Sequence, residues 1–181
     1  LTLEPVWFME LLKRIRRQFG GQNIELRAMN GIFPPSLTAE IVAAMKIAGF
    51  KKLNLSVGST SRRQSKKFDR PHVNAVFDDC LKWAAEQDME AVGYIIAGGP
   101  DQDPRDSIDD LAFLARRRVL VGLSIYYPAP GSRDYRRCQE LGLLPASLRA
   151  MRARALPINH STTREQAATL MRLSRVLNFM K

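Results

Sequence analysis

The stretch AVGYIIAGGPDQDP (residues 91–104) decides the fold. Its apolar run is too short for a helix and stops at Gly98-Gly99-Pro100 before a polar, acidic segment. That pattern predicts a buried strand followed by a turn. Turns of this kind build sites: in α/β sheets and barrels, ligands lie beyond the carboxyl ends of the strands, and glycines there let a ligand reach the backbone.

Three more stretches on either side of it read as strands: NIELRAM (23–29), KLNLSVG (52–58) and VGLSIYY (121–127), the last ended by Pro128-Ala129-Pro130-Gly131. Helical patterns occupy about 37–48, 71–87 and 105–117, with Gly49 as the stop of the first of these. An earlier helix opens the chain, with Thr2 as a possible cap, Pro5 in its first turn and an apolar stripe of Val6, Phe8, Met9, Leu12 and Ile15. The resulting order, α-βα-βα-βα-β-α, predicts a parallel sheet with right-handed crossovers. After Gly142 the pattern changes: 144–157 is short and irregular, and 163–180 is a helix that Thr163 and Gln166 start as a capping box.

Strand alternation sends neighbouring side chains to opposite faces. Leu53, Leu55 and Val57, with Leu123 and Ile125, form an apolar set suited to helices, and Asn54, Ser56, Ser124 and Tyr126 form a polar one. A doubly wound sheet would want both faces apolar, so a polar inner face points to an open, curved barrel. In the 23–29 strand Glu25 and Arg27 either pair with each other or face solvent on an edge.

Composition frames the chain as an ordinary globular domain: 181 residues, 45% hydrophobic and 25% charged, enough to bury a core. No apolar stretch approaches the roughly 20 residues of a membrane span and no signal peptide is visible, so the expected location is cytoplasmic. Charge is uneven. Residues 1–70 carry 13 lysines and arginines against 5 acids, residues 71–115 carry 2 against 10, and residues 116–181 carry 13 against 3. The basic ends, including Arg116–Arg118 and the spacing at 149–154, fit either nucleic acid or solvated helix faces.

The segments just described resemble, in order, the later strands of radical S-adenosylmethionine (SAM) enzymes. Ile96, Gly98 and Asp101 match the Ile, second Gly and acid of that family's fifth-strand pattern GxIxGxxE, with Tyr94 at the first Gly and Asp in place of Glu. LNLSVGSTS (53–61) looks like the fourth strand and its ribose-side loop, with Gly58 where Glu is often found. YYPAPGSRDY (126–135) looks like the sixth strand with its P-x-PGT-type turn, and NIELRAMNGI (23–32) like the third. The resemblance implies an α/β fold, an incomplete TIM-type barrel of about four parallel βα units over 1–142, with a C-terminal helical extension over 143–181.

It also implies a chemistry. Family members bind a four-iron four-sulfur (4Fe-4S) cluster through CxxxCxxC and cleave SAM to a 5′-deoxyadenosyl radical. This chain has only Cys80 and Cys138, so it is expected to be a fragment of a larger oxidoreductase, inactive alone, with Leu1-Thr2-Leu3 just past the missing second strand. The tail 145–181 is similar to that of members with an upstream cobalamin-binding domain. Carried over by position, Ile96 and Gly98 would meet the adenine and methionine moieties, Ser56 and Ser59 the ribose or carboxylate, and Tyr126 to Pro128 the adenine edge. Arg27 and Asn30 would serve the SAM carboxylate or an unidentified substrate.

Other tempting residues have plainer readings. Both cysteines read as buried thiols, and His72 and His160 as surface residues, so no metal site is expected within this chain. The loop at 59–67, with Arg62, Arg63, Lys66 and Lys67, either holds an anion or is simply solvated. The competing function is a basic α/β nucleic-acid-binding module. If two strands precede the first, its open edge would favour self-association.

Overall fold

The computed structural model describes residues 2–151 and 158–181; Leu1 and part of the basic spacing at 149–154 lie outside them. Three strands, β1 (Lys52–Gly58), β2 (Glu90–Ala97) and β3 (Leu120–Ile125), form one parallel sheet in the order β1-β2-β3. Among the described residues there are seven α-helices: α1 (Pro5–Phe19), α2 (Ala39–Ala48), α3 (Arg62–Lys67), α4 (Asn74–Glu86), α5 (Pro104–Arg116), α6 (Arg133–Glu140) and α7 (Arg164–Phe179). None is long and apolar enough to cross a membrane.

The chain divides into two compact units, one of residues 1–57 and 73–94, the other of 58–72 and 95–181. In the first, α1 packs on α2, and α2 on α4. The α1 stripe buries Phe8 and Leu12, worth about 1.5–3 kcal/mol each. Thr38 caps α2 by accepting from the Ile41 amide at 3.3 Å, and Gly49 ends it at φ 114°, a left-handed conformation suited to glycine. Thr2 does not cap α1: Glu4 holds that position, and the Thr2 hydroxyl bonds that of Ser36 instead.

The strand expected at 23–29 does not form, so the structure has three βα strands where four were expected. What remains are two isolated parallel bridges, Leu26 with Phe50 and Ile32 with Leu55. The physical reason lies between them, where the Gly31 amide donates to the Ala28 carbonyl and turns the chain out of the ladder at φ 80°. The polar alternation of that segment is a local ion pair, Arg27 Nε on Glu25 Oε1 at 2.7 Å. Residues 26–32 nevertheless cover part of the outer edge of β1.

In the second unit, α5 and α7 both pack on β3 and on each other. The capping box of α7 forms in full: Thr163 accepts from the Gln166 amide, and the Gln166 side chain accepts from the Thr163 amide. Asn178 reaches back to bond both the amide and the carbonyl of Val121, tying the end of α7 to β3.

Burial alternates along β2 and β3, whereas in β1 Asn54, expected on the polar face, is buried between Leu53 and Leu55. Leu53, Leu55 and Val57 in the first unit, and Ile95, Ala97, Leu123 and Ile125 in the second, are buried. Ser56, Ile96 and Tyr126 are part-exposed and Ser124 is exposed.

Candidate functional site

The turn that leaves β2 is built around one side chain. Gln102 is fully buried; its Nε2 donates to the Ile96 carbonyl at 2.9 Å and its Oε1 accepts from the Gly99 amide at 2.9 Å. Thr162 donates to its backbone carbonyl at 3.0 Å and its own N–H donates to the Gly99 carbonyl, so Gln102 ties the Gly99 turn to the end of β2 and to the segment before α7. The turn needs both glycines. Gly98 sits at φ 80°, and a side chain added there would meet no atom within 4 Å, so the space beside it is open. At Gly99 a Cβ would stand 2.9 Å from the Phe68 ring.

Asp101 follows in a left-handed conformation, φ 56°, and anchors the rim. Its carboxylate pairs with Arg137, and its carbonyl accepts from Lys67 Nζ at 3.0 Å. Its amide donates to His160 Nδ1 at 3.1 Å. Asp101 Oδ1 lies 3.7 Å from the same nitrogen.

The loop after β1 is held by a carboxylate about fifty residues away in sequence. Asp110, fully buried on α5, accepts at Oδ1 from Ser59 Oγ at 3.2 Å and from the Thr60 amide and hydroxyl at 2.6 Å each. Burial pushes this carboxyl up to about 6, opposed by the bonds from Thr60 and Ser59. Its second oxygen finds no protein partner, nor do the Ser107 hydroxyl or either end of the Gln64 amide, all buried. Ser61 then caps α3 by accepting from the Gln64 amide.

Past β3, the Tyr126 hydroxyl donates to Asp134 near the start of α6, and Ser132 caps that helix. Burial and the Asp134 carboxylate both raise the phenol well above its ordinary value, so Tyr126 stays protonated. Its ring stacks on Phe68, centroids 5.6 Å apart and planes 18° from parallel. The Tyr126 amide donates to the Ala97 carbonyl, carrying the β3 ladder one residue further. These three segments, with Lys66 and Lys67 on one side and Arg133 on the other, line a cleft of about 700 Å³ inside the second unit.

Of the residues singled out in the sequence, Ser59, Ile96, Gly98, Tyr126 and Pro128 belong to this unit. Ser59 is buried and its hydroxyl is committed to Asp110; Pro128 is buried; Ile96 is part-exposed. Ser56, Arg27 and Asn30 belong to the first unit. Ser56 lies against Gly31, and Arg27 is exposed and paired with Glu25, which the guanidinium holds below the usual carboxylate range. Asn30 is exposed at the turn. Gln64, Gln102 and Asp110 carried no sequence signal beyond helix and turn patterns.

The donor set does not fit an iron–sulfur cluster. Burial pushes the Cys80 thiol up to about 12, its Sγ facing the Pro34 carbonyl, and the Cys138 thiol is raised too. The described residues contain no group of three or more His, Cys, Asp or Glu able to hold a metal.

Comparison with solved structures finds a likeness to coproporphyrinogen III oxidase (HemN) from Escherichia coli, described as a radical SAM enzyme. Identity is 16% and the TM-score 0.51, over 79% of this chain and 37% of that one. The likeness speaks for the fold, and this chain spans well under half of that protein. No family model matches the sequence, and no curated protein matches it.

Proposed function

We propose that this chain supplies the SAM- and substrate-facing part of a radical SAM barrel, with the cluster ligands on protein outside these residues. The observation that carries it is the turn after β2: Gly98 left-handed with open space where a side chain would stand, framed by a bonded Gln102, at the strand end that carries the sequence resemblance. When bound, SAM would bring the source of the 5′-deoxyadenosyl radical. The chain's own residues bind and orient it. Ile96 and the Gly98 backbone lie against the adenine and methionine moieties, and the backbone from Tyr126 to Pro128 meets the adenine edge. Ser59 acts indirectly, holding the loop through Asp110. Arg27 and Asn30, in the first unit, are left out of this site.

Two outcomes follow for the isolated chain. Without a cluster to grip its amino and carboxyl groups, SAM binds weakly, on the order of 0.1–1 mM. Incubation with iron, sulfide, reductant and SAM yields no 5′-deoxyadenosine; turnover would contradict the proposal.

A further inference from the structure

The charges around the cleft in the second unit are unevenly spent. Asp101 is neutralised by Arg137, and Asp134 receives the Tyr126 hydroxyl. Lys67 is drawn to the Asp101 carbonyl. The side chains of Lys66 and Arg133, both exposed and both lining the same cleft, make no hydrogen bond or ion pair among the described residues. An adjoining groove of about 440 Å³ shares Lys66 and Asp69 and adds Arg62 and Arg70, so positive charge continues past the cleft on that side.

Lys66 and Arg133 share the cleft with an aromatic wall. Phe68 and Tyr126 stack face to face, and both are part-exposed. Phe68 is fixed from behind by Gly99, where even a methyl group would collide with its ring, and Tyr126 is fixed by Asp134. A rigid aromatic surface flanked by cations that have no internal partner is complementary to a flat ring bearing negative charge.

From this we infer that the cleft binds a small planar organic anion carrying at least two negative charges, its ring beside Phe68 and Tyr126 and its anionic groups between Lys66 and Arg133. The cleft's volume, about 700 Å³, is that of a small-molecule site. Its own acids argue against a nucleic acid: Asp69, Asp101 and Asp134 interrupt the lining, whereas a groove that tracks a phosphate backbone keeps one sign of charge. Calling this anion the substrate rests on the function proposed above; the binding itself does not.

The test uses the full 181-residue chain and phenyl phosphate, titrated by calorimetry and by amide chemical shifts. Saturable binding is expected, with shifts at Lys66, Phe68, Tyr126 and Arg133, while the neutral analogue benzyl alcohol leaves these amides unmoved. The double variant Lys66→Ala/Arg133→Ala should weaken phenyl phosphate about tenfold, equivalent to about 1.4 kcal/mol. Arg136→Ala, on the same helix but outside the cleft lining, should change it less than twofold. Equal losses in both variants would mean that net charge alone attracts the probe and would overturn the inference. So would tighter, steeply salt-dependent binding of an eight-nucleotide single strand, which would hand the surface to nucleic acid. SAM binding is scored separately: phenyl phosphate bound without SAM would sink the function proposed above and leave the anion site standing, and the reverse result would do the opposite.

Discussion

Two turns at the carboxyl ends of strands, both in the second unit, are each closed by one buried polar side chain, and they differ in how completely that side chain is satisfied. Gln102 bonds Ile96 and Gly99 with both ends of its amide. Asp110 gathers three donors on one oxygen and leaves the other bare, beside a Ser107 and a Gln64 that are equally unpartnered. A neutral amide that swaps its two water contacts for two protein ones is held cheaply, whereas a carboxylate in the same degree of burial is charged only at a cost. The first turn is therefore a rigid frame at every pH, and the second is a latch whose strength depends on pH.

Removing the frame should have the largest effect. Gln102→Leu leaves the Gly99 amide and the Ile96 carbonyl buried without partners and should cost about 3 kcal/mol, read as a lowered midpoint in urea unfolding. A loss under about 1 kcal/mol would mean that the turn does not depend on this residue.

The latch should show itself as a pH slope. The folded carboxyl of Asp110, at about 6, lies above its ordinary 3.8, so the group favours the fold fully below about pH 3.8, and that contribution is lost as pH rises through 6. The loss by pH 7.5 is up to about 3 kcal/mol. Exposed carboxylates such as Glu10, held low by Arg14, and Glu25, held low by Arg27, titrate in the opposite sense, so the slope is best read as wild type minus Asp110→Asn. That variant keeps an acceptor for Thr60 and Ser59 and cannot ionise; the difference between the two proteins should widen from pH 4 to pH 7.5 in the variant's favour. A flat difference would show that Asp110 ionises in the fold as freely as in water.

A smaller effect belongs to the glycine between the strand and the frame. Gly98→Ala meets no atom but must hold φ 80°, a conformation that costs an L side chain about 1 kcal/mol. Its consequence for SAM affinity should exceed its consequence for stability, because the methyl group would stand in the open space where SAM is proposed to approach the backbone.

Much of this fold could be read from local chemistry. Gly49 ends α2, the Thr163–Gln166 box starts α7, and the apolar runs at 52–58 and 90–97 end in glycine turns. The misreadings have local causes too. Alternation in NIELRAM was that of an ion pair two residues apart, and SRRQSKK lacks the apolar period that marks a helix, although Ser61 caps one there. The site was less legible. Gly98 announces itself by composition, but Gln102 and Asp110 act on groups that no periodicity connects to them, and Asp110 reaches a loop fifty residues back in the chain.

The central claim is that the end of β2 and the segment after β3 receive SAM. Titrating the chain with SAM while following amide shifts tests it directly. Shifts confined to Ile96, Gly98, Tyr126 and their neighbours, saturating on the order of 0.1–1 mM and abolished in Gly98→Ala, are the expected result. No shift at 10 mM SAM, or shifts confined to the larger groove of about 940 Å³ that Lys46, Lys52 and Glu90 line in the first unit, would contradict it.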